Sequence, residues 1–306
     1  MVKPSNVEPL IRLRQYQAEV FRHNLRRLFL LWCRQKGKSH LLAAQALDWM
    51  METPGCLVSF ISASIVLGQE VILKEASLWL QFLDVLRRAS EEAGMKLTTN
   101  ADGLDFDAVC DMFEHSKLET KLWHSRSVFS RSRVIAPNPD TAVGWTGHII
   151  GDEVGRWPNA QDVFEAIMPF MDSNPDYKIR LATTPPPDDK HYTFQLFMPP
   201  PGTSFDKKNP SGQWYKSEYG IMVHRVDAWD AALAGVPLYH PDSKKPCTPE
   251  EHRGCFPDKA GWDRNYALLF LAGGSAAISL TAMSNAMARG IGQCQGVNIT
   301  EELGVA

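Results

Sequence analysis

Residues 28–39 read LFLLWCRQKGKS. An apolar run from Leu28 to Trp32 breaks into a short polar loop, and the loop ends in Gly37-Lys38-Ser39. After His40 comes LLAAQALDWMM, a strong helix former. Strand, tight loop and helix with GK[ST] at the junction is the layout of a loop that cradles phosphates. Backbone N–H groups at the helix N-terminus face the phosphate oxygens, the Lys reaches the β- and γ-oxygens, and the Ser hydroxyl ligates Mg2+. The match is imperfect. In G-x-x-x-x-G-K-[ST] the first Gly would fall at Trp32, and GKS also arises by chance in surface turns. The choice between these readings depends on the rest of the chain.

At 306 residues the chain is long for one domain and can bury a large core. Its 44% hydrophobic and 22% charged content is ordinary for a soluble globular protein. A net charge of −3 gives no global basic footprint, so any nucleic-acid contact has to come from local patches such as residues 22–27, 87–88 or 126–133. Such patches are more often solvated faces. Cys33, Cys56, Cys110, Cys247, Cys255 and Cys294 are scattered with no CxxC pair, which fits buried free thiols in a reducing cytoplasm. His240, Cys247, His252 and Cys255 fit no standard zinc spacing. The polar N-terminus MVKPSNVEP resembles no signal peptide, and no apolar run reaches the ~18 residues of a membrane span.

Along the chain, residues 10–25 read as a helix or a turn followed by one, 57–62 (LVSFIS) as a second apolar strand and 64–93 as one or two long helices ending at Gly94. Both apolar strands are continuous rather than alternating, which marks a sheet covered on both faces. Residues 96–140 read as β-rich, 148–152 as a short strand, 161–171 as helix, 178–182 as strand, 191–198 as a short helix and 219–226 as strand. Residues 199–213 read as an exposed loop or hinge, and 237–259 as Pro-rich and polar with little periodicity. Residues 262–271 and 276–287 read as helices. Strands alternating with helices imply an α/β fold with a parallel sheet, whose ligands bind at the carboxyl ends of the strands.

A phosphate loop cannot hydrolyse ATP alone. It needs an acid for the Mg2+ shell and a base or water-positioner opposite the γ-phosphate. In HIIGDEV an apolar strand ends in Asp152 and Glu153. Side chains alternate along a strand, so one carboxylate is expected toward the metal water and the other toward the attacking water. In LATTPPP a further strand ends in the Thr183 and Thr184 hydroxyls before Pro185, a stiff connection suited to sensing the γ-phosphate and passing on the change.

Together these residues resemble the ATPase half of a phage terminase large subunit, the motor that pumps DNA into capsids. That family's loop has the deviant form x-R-Q-x-G-K-[ST], which Arg34-Gln35-Lys36-Gly37-Lys38-Ser39 matches, so Trp32 ceases to be an objection. Arg14-Gln15-Tyr16-Gln17 stands where the family has its adenine motif. Val143-Gly144-Trp145-Thr146-Gly147 occupies the R-G-[YF]-[ST]-G turn. Trp157-Pro158 and Ala166-Ile167-Met168-Pro169 follow the acidic pair as in the family, and Thr183-Thr184-Pro185 matches the coupling motif. The resemblance is specific over residues 12–187. It weakens beyond them, although Trp262, Tyr266 and Phe270 are spaced as in the segment that closes the family's ATPase region.

The resemblance implies a RecA/ASCE-like phosphate-loop ATPase, a mainly parallel sheet flanked by helices. It implies an ATPase domain over residues 1–200, with the remainder of its sheet and a linker or lid subdomain over 201–306. Lys38 and the N–H groups of Gln35, Lys36, Gly37, Lys38 and Ser39 would hold the phosphates, with Arg34 sensing the γ-phosphate. Ser39 and Asp152 would hold Mg2+, Asp152 through water, and Glu153 would orient and deprotonate the attacking water. Tyr16 and Gln17 would contact adenine, and Thr183, Thr184 and Pro185 would couple nucleotide state to movement. The implied partners are double-stranded DNA, the portal protein, the small terminase subunit and further copies in a ring on the portal, with the isolated chain often a monomer. The implied place is the host cytoplasm, with no membrane.

Two departures stand out. Val143 replaces the family's Arg, a candidate trans-acting finger, so Arg131, Arg133 or Arg156 would have to serve or activity would be feeble. The family's C-terminal nuclease domain is expected to be missing from this chain. A helicase-like ATPase and a non-hydrolysing nucleotide-binding assembly module are the alternative functions.

Overall fold

The structure, a computed structural model, describes residues 12–92, 106–142 and 146–271. Helix α1 (Gln15–Phe21) leads to strand β1 (Arg27–Trp32), the phosphate-type loop and helix α2 (Lys38–Glu52). Strand β2 (Leu57–Ser62) runs into the 28-residue helix α3 (Ile65–Glu92). Helix α4 (Phe106–Asp111) opens a meander of β3 (Phe113–His115), β4 (Glu119–Trp123) and β5 (Phe129–Ile135). Short α5 (Pro139–Ala142) precedes β6 (His148–Asp152), α6 (Ala160–Ile167) and β7 (Ile179–Thr183). Helix α7 (Tyr192–Phe197), the hairpin β8 (Gln213–Lys216) and β9 (Met222–Val226), and α8 (Ala228–Leu233) follow. A small hairpin, β10 (Leu238–Tyr239) with β11 (Pro246–Cys247), then α9 (Pro249–Cys255) and α10 (Lys259–Asn265) complete the described chain.

The elements build a nine-stranded sheet in the order β3-β4-β5-β2-β6-β7-β1-β9-β8. The strands from β5 to β9 in that order are mutually parallel, while β3, β4 and β8 are antiparallel additions at the two edges. The parallel centre explains the unbroken apolar runs. In β1, Phe29 and Leu31 pack on the side of α6 and α7, while Leu28, Leu30 and Trp32 pack on the side of α1, α2 and α3. Both faces are covered, and residues 28–32 are all apolar. At the edge the rule changes. In β4, residues alternate buried and half-buried, as on a strand with α3 packed on one face.

Strand β7 lies between β1 and β6, so the carboxyl ends of all three sit side by side. Leu31 is in register with Thr183, and Ala182 with Asp152. The loop, the acidic pair and the threonine pair, far apart in sequence, therefore meet at one end of the sheet.

Of the one or two helices read over 64–93, the structure has a single one, Ile65–Glu92. Other expectations need correction. The stretch 237–259, read as lacking periodicity, contains a hairpin and α9, whose ends are fixed by local capping rather than by an apolar stripe. Thr248 accepts from the Glu251 N–H and Glu251 returns the bond, with Pro249 in the first turn. The helix read at 262–271 starts at Lys259 and stops at Asn265, and Leu268 takes φ 58°, which no helix continues. Strand β8 begins where a loop was read to end. Val143, Gly144, Trp145 and the helix read at 276–287 lie outside the described residues.

Candidate nucleotide site

The polar loop between β1 and α2 is short and heavily tied. Gln35 and Gly37 both adopt left-handed backbone, φ 57° and 80°, which turns the chain from the strand into the helix. At Gly37 a side chain is also excluded by contact, since a Cβ would lie 2.6 Å from Gln17 Nε2. Gly37 is the N-cap of α2, and the first N–H groups of that 15-residue helix have no acceptor within it. The N–H of Cys33 donates to the Val226 carbonyl at 2.9 Å and that of Arg34 to the Asn265 carbonyl at 3.1 Å, so β9 and the end of α10 brace the loop from behind.

Lys38 is buried, 6% exposed. Its Nζ donates to the Trp32 and Cys33 carbonyls at 3.0 and 3.4 Å and lies 3.8 Å from Glu153 Oε1. Ser39 Oγ donates to Asp152 Oδ2 at 2.6 Å. Burial, and after it the neighbouring Glu153 carboxylate, push the Asp152 carboxyl above its usual range, while Ser39 and Lys38 oppose the shift. Glu153 Oε2 is buried with no hydrogen-bond partner. Asp152 is the last residue of β6, and Glu153 lies beyond it with φ 52°. The two carboxylates diverge because the backbone turns left-handed between them, not because a strand alternates.

Thr183, at the end of β7, completes the cluster. Its Oγ1 accepts from the Gly155 N–H at 3.0 Å and donates to the Thr184 carbonyl at 2.7 Å. It thus joins the 3-10 turn Val154–Arg156, which follows Glu153, to the Thr-Pro connection. Trp157 Nε1 donates to the Asp152 carbonyl at 3.1 Å and fixes the same turn from below.

The other candidates also hold protein partners. Tyr16 is fully buried, and its hydroxyl donates to the Lys36 carbonyl at 3.1 Å. Burial pushes its pKa up to about 12, so it stays a donor. Gln17 Nε2 donates to the Gly37 carbonyl at 3.0 Å. Both grip the loop backbone. Lys36 turns its ammonium away from the loop mouth onto the Val236 and Pro237 carbonyls at 3.1 and 3.5 Å, and burial lowers its pKa. The charge of Arg34 opposes the upward pKa shift that burial gives Tyr266. Pro185 is buried next to Thr184. The backbone acceptors Val226, Val236 and Asn265 carry no sequence signal, because a carbonyl is the same on every residue.

The donors present suit Mg2+. A hydroxyl and one carboxylate 2.6 Å apart are a protein half-shell for an ion that completes its coordination with water and phosphate oxygens. Among the described residues no group of three or more His, Cys, Asp or Glu side chains forms a self-sufficient metal site. Cys33 and Cys56 are buried free thiols, both pushed up to about 12 by burial, and Cys255 is exposed with His240 Nε2 at 3.2 Å. His252 Nδ1 accepts the Trp262 indole N–H.

No family model and no curated protein matches the sequence. Solved structures do. The ATPase domain of the Thermus phage P74-26 large terminase matches with a TM-score of 0.54 and 17% identity, over 84% of this chain and 93% of that one. The fold is that of a large terminase ATPase domain. An arginine-to-alanine variant of the same domain gives a TM-score of 0.51 at 18% identity over the same shares. The large terminase of another phage, a thermophilic bacteriophage, gives 0.47 at 11% identity, over 83% of this chain and 53% of that protein. Among the described residues no helix is long and apolar enough to cross a membrane.

Proposed function

We propose that this chain is the ATP-hydrolysing part of a terminase large subunit, a motor that drives double-stranded viral DNA into a procapsid. The observation that carries the reading is the meeting of Lys38, Ser39, Asp152 and Glu153 at adjoining strand ends on a terminase-type fold.

In this reading the loop N–H groups and Lys38 bind the β- and γ-phosphates of ATP, and Lys38 exchanges its contacts with the Trp32 and Cys33 carbonyls for phosphate oxygens. Ser39 and, through water, Asp152 would hold Mg2+, which would supply positive charge against the phosphate. Glu153 orients a water in line with the γ-phosphorus. Its unpartnered Oε2 accepts the water's proton as the oxygen–phosphorus bond forms and the bond to the ADP oxygen breaks. Loss of the γ-phosphate alters what Thr183 and Thr184 face. Thr183 bonds both to the turn after Glu153 and to the Thr184 carbonyl, so the change passes into the proline-stiffened connection. DNA, a portal, a small terminase subunit and further copies of the chain in a ring are the partners such a motor needs, in a host cytoplasm.

The test is phosphate release from Mg-ATP by the purified chain with and without double-stranded DNA. A motor releases phosphate faster when DNA is added. Release that DNA leaves unchanged, from a chain that binds ATP, would assign it instead to a nucleotide-binding assembly module.

A further inference from the structure

Trp32 stands where an ordinary phosphate loop has its first glycine. Its indole is fully buried, and Nε1–H donates to Nδ1 of His224 on β9 at 3.0 Å. The indole meets the Tyr16 ring edge-on, 5.0 Å between centroids at 87°. The Tyr16 hydroxyl donates to the Lys36 carbonyl and Gln17 to the Gly37 carbonyl.

A peptide group is planar and trans, so a carbonyl held on one side aims the next N–H to the other. Tyr16, by holding the Lys36 carbonyl toward α1, aims the Gly37 N–H away from α1. Gln17 does the same for the Lys38 N–H. These are the N–H groups that a phosphate would meet.

His224 is itself held in place. Because Nδ1 accepts from Trp32, Nε2 carries the proton and donates to the Ser211 carbonyl at 2.8 Å. Trp214 packs on the imidazole at 4.5 Å, and His23, just past the end of α1, packs on Trp214 at 4.6 Å. Gly212, with φ 79°, lies so close that a Cβ would come 2.5 Å from the imidazole. Gln15 Nε2 donates to Ser211 Oγ at 2.8 Å. The contacts close a circuit from the end of β1 through β9 and the turn before β8 to α1, and back to the loop.

We propose that Trp32 and His224 are positioning residues for the bound nucleotide, acting through Tyr16 on the peptide planes of residues 36–38. The proposal rests on the reading of residues 28–39 as a nucleotide site, and it gives the residue that departs from the ordinary pattern a task. The indole supplies from the side the order that the ordinary loop draws from its glycine turn.

The test is ADP binding by calorimetry in the presence of Mg2+, with thermal unfolding read on the same samples. His224→Leu removes the acceptor and is expected to weaken ADP binding roughly tenfold, the size of one buried hydrogen bond. His224→Gln, whose amide oxygen can accept the indole N–H, is expected to keep affinity within about threefold of the wild type. Tyr16→Phe deletes a single hydroxyl and is expected to weaken binding to a similar degree. Combined with His224→Leu it should add little further, because both act through one path. Affinities within twofold of wild type for His224→Leu and Tyr16→Phe, with only the melting temperature lowered, would overturn the proposal and leave the pair as core packing. If His224→Leu does not fold, Tyr16→Phe alone decides. A wild-type chain that binds no ADP would overturn the nucleotide reading itself. Binding that Lys38→Ala abolishes but Tyr16→Phe leaves intact would overturn the positioning role alone.

Discussion

Asp152 and Glu153 are adjacent, yet only the first sits in a strand. Left-handed backbone at a non-glycine residue costs roughly 1–2 kcal/mol and persists only where the surroundings enforce it. Here the Trp157 indole holds the Asp152 carbonyl, and Thr183 holds the Gly155 N–H just beyond Glu153. The result aims one carboxylate at Ser39 and the other at Lys38, with an oxygen left over. Thr183→Val keeps the shape and removes both hydroxyl bonds, leaving the Gly155 N–H unpaired. Turnover is expected to fall roughly tenfold, the cost of one buried unpaired group appearing in the barrier, while ADP affinity stays within about twofold. Steady-state kinetics with calorimetry separates the two. A parallel loss of affinity would place Thr183 in binding rather than in coupling.

Among the elements, α3 carries a different kind of cost. Glu75 is fully buried beneath β4 and β5, where it accepts from the hydroxyls of Thr120 and Ser132 at 2.5 and 2.9 Å. Burial pushes its pKa up to about 7 against those two bonds. A raised carboxyl pKa means the folded chain holds a proton that the unfolded chain releases. The stabilisation it brings is complete below the unfolded value near 4.5 and is lost as pH rises through about 7. Glu75→Gln removes the titration while keeping an acceptor. Its melting temperature relative to wild type is therefore expected to rise between pH 5 and pH 8, by an increment corresponding to up to ~3 kcal/mol. A difference that stays flat with pH would show that Glu75 is not the titrating group. The same element shows a limit of sequence reading. The stripe of Val71, Leu78 and Leu83 marks a helix, and Glu75, four residues after Val71 and three before Leu78, falls on the same face, but its partners come from strands 45 and 57 positions on and leave no trace in the pattern.

At the scale of the whole molecule, the parallel centre was legible because β1, β2, β6 and β7 are short apolar runs, buried on both faces by covering helices. The candidate site was legible for the same reason. Its acids and hydroxyls sit at the ends of those runs, where the chain must leave the sheet. Arg180 shows what the runs conceal. It lies 1% exposed within β7, with its guanidinium donating to the Leu25 and His23 carbonyls, and burial lowers its pKa to about 10. The strand order was not legible, since register and neighbour choice depend on long-range packing. That order, with β7 between β1 and β6, is what gives Thr183 contact with the acidic turn. The hairpin β10–β11 escaped because its strands are only two residues long, and α9 because it carries no apolar stripe, although Thr248-Pro249-Glu250-Glu251 is a legible helix start. Tyr16, Gln17 and Lys36 also brace the loop through backbone partners, which leave no trace in residue type.

The proposed hydrolysis where Lys38 faces Glu153 is tested by comparing Mg-ATP binding and phosphate release in the wild type and in Glu153→Gln. Glu153→Gln is expected to bind ATP at least as well as wild type, because Lys38 loses a competing anion, while release falls by roughly 10²–10⁴-fold. Phosphate release from Glu153→Gln at the wild-type rate would contradict the proposal.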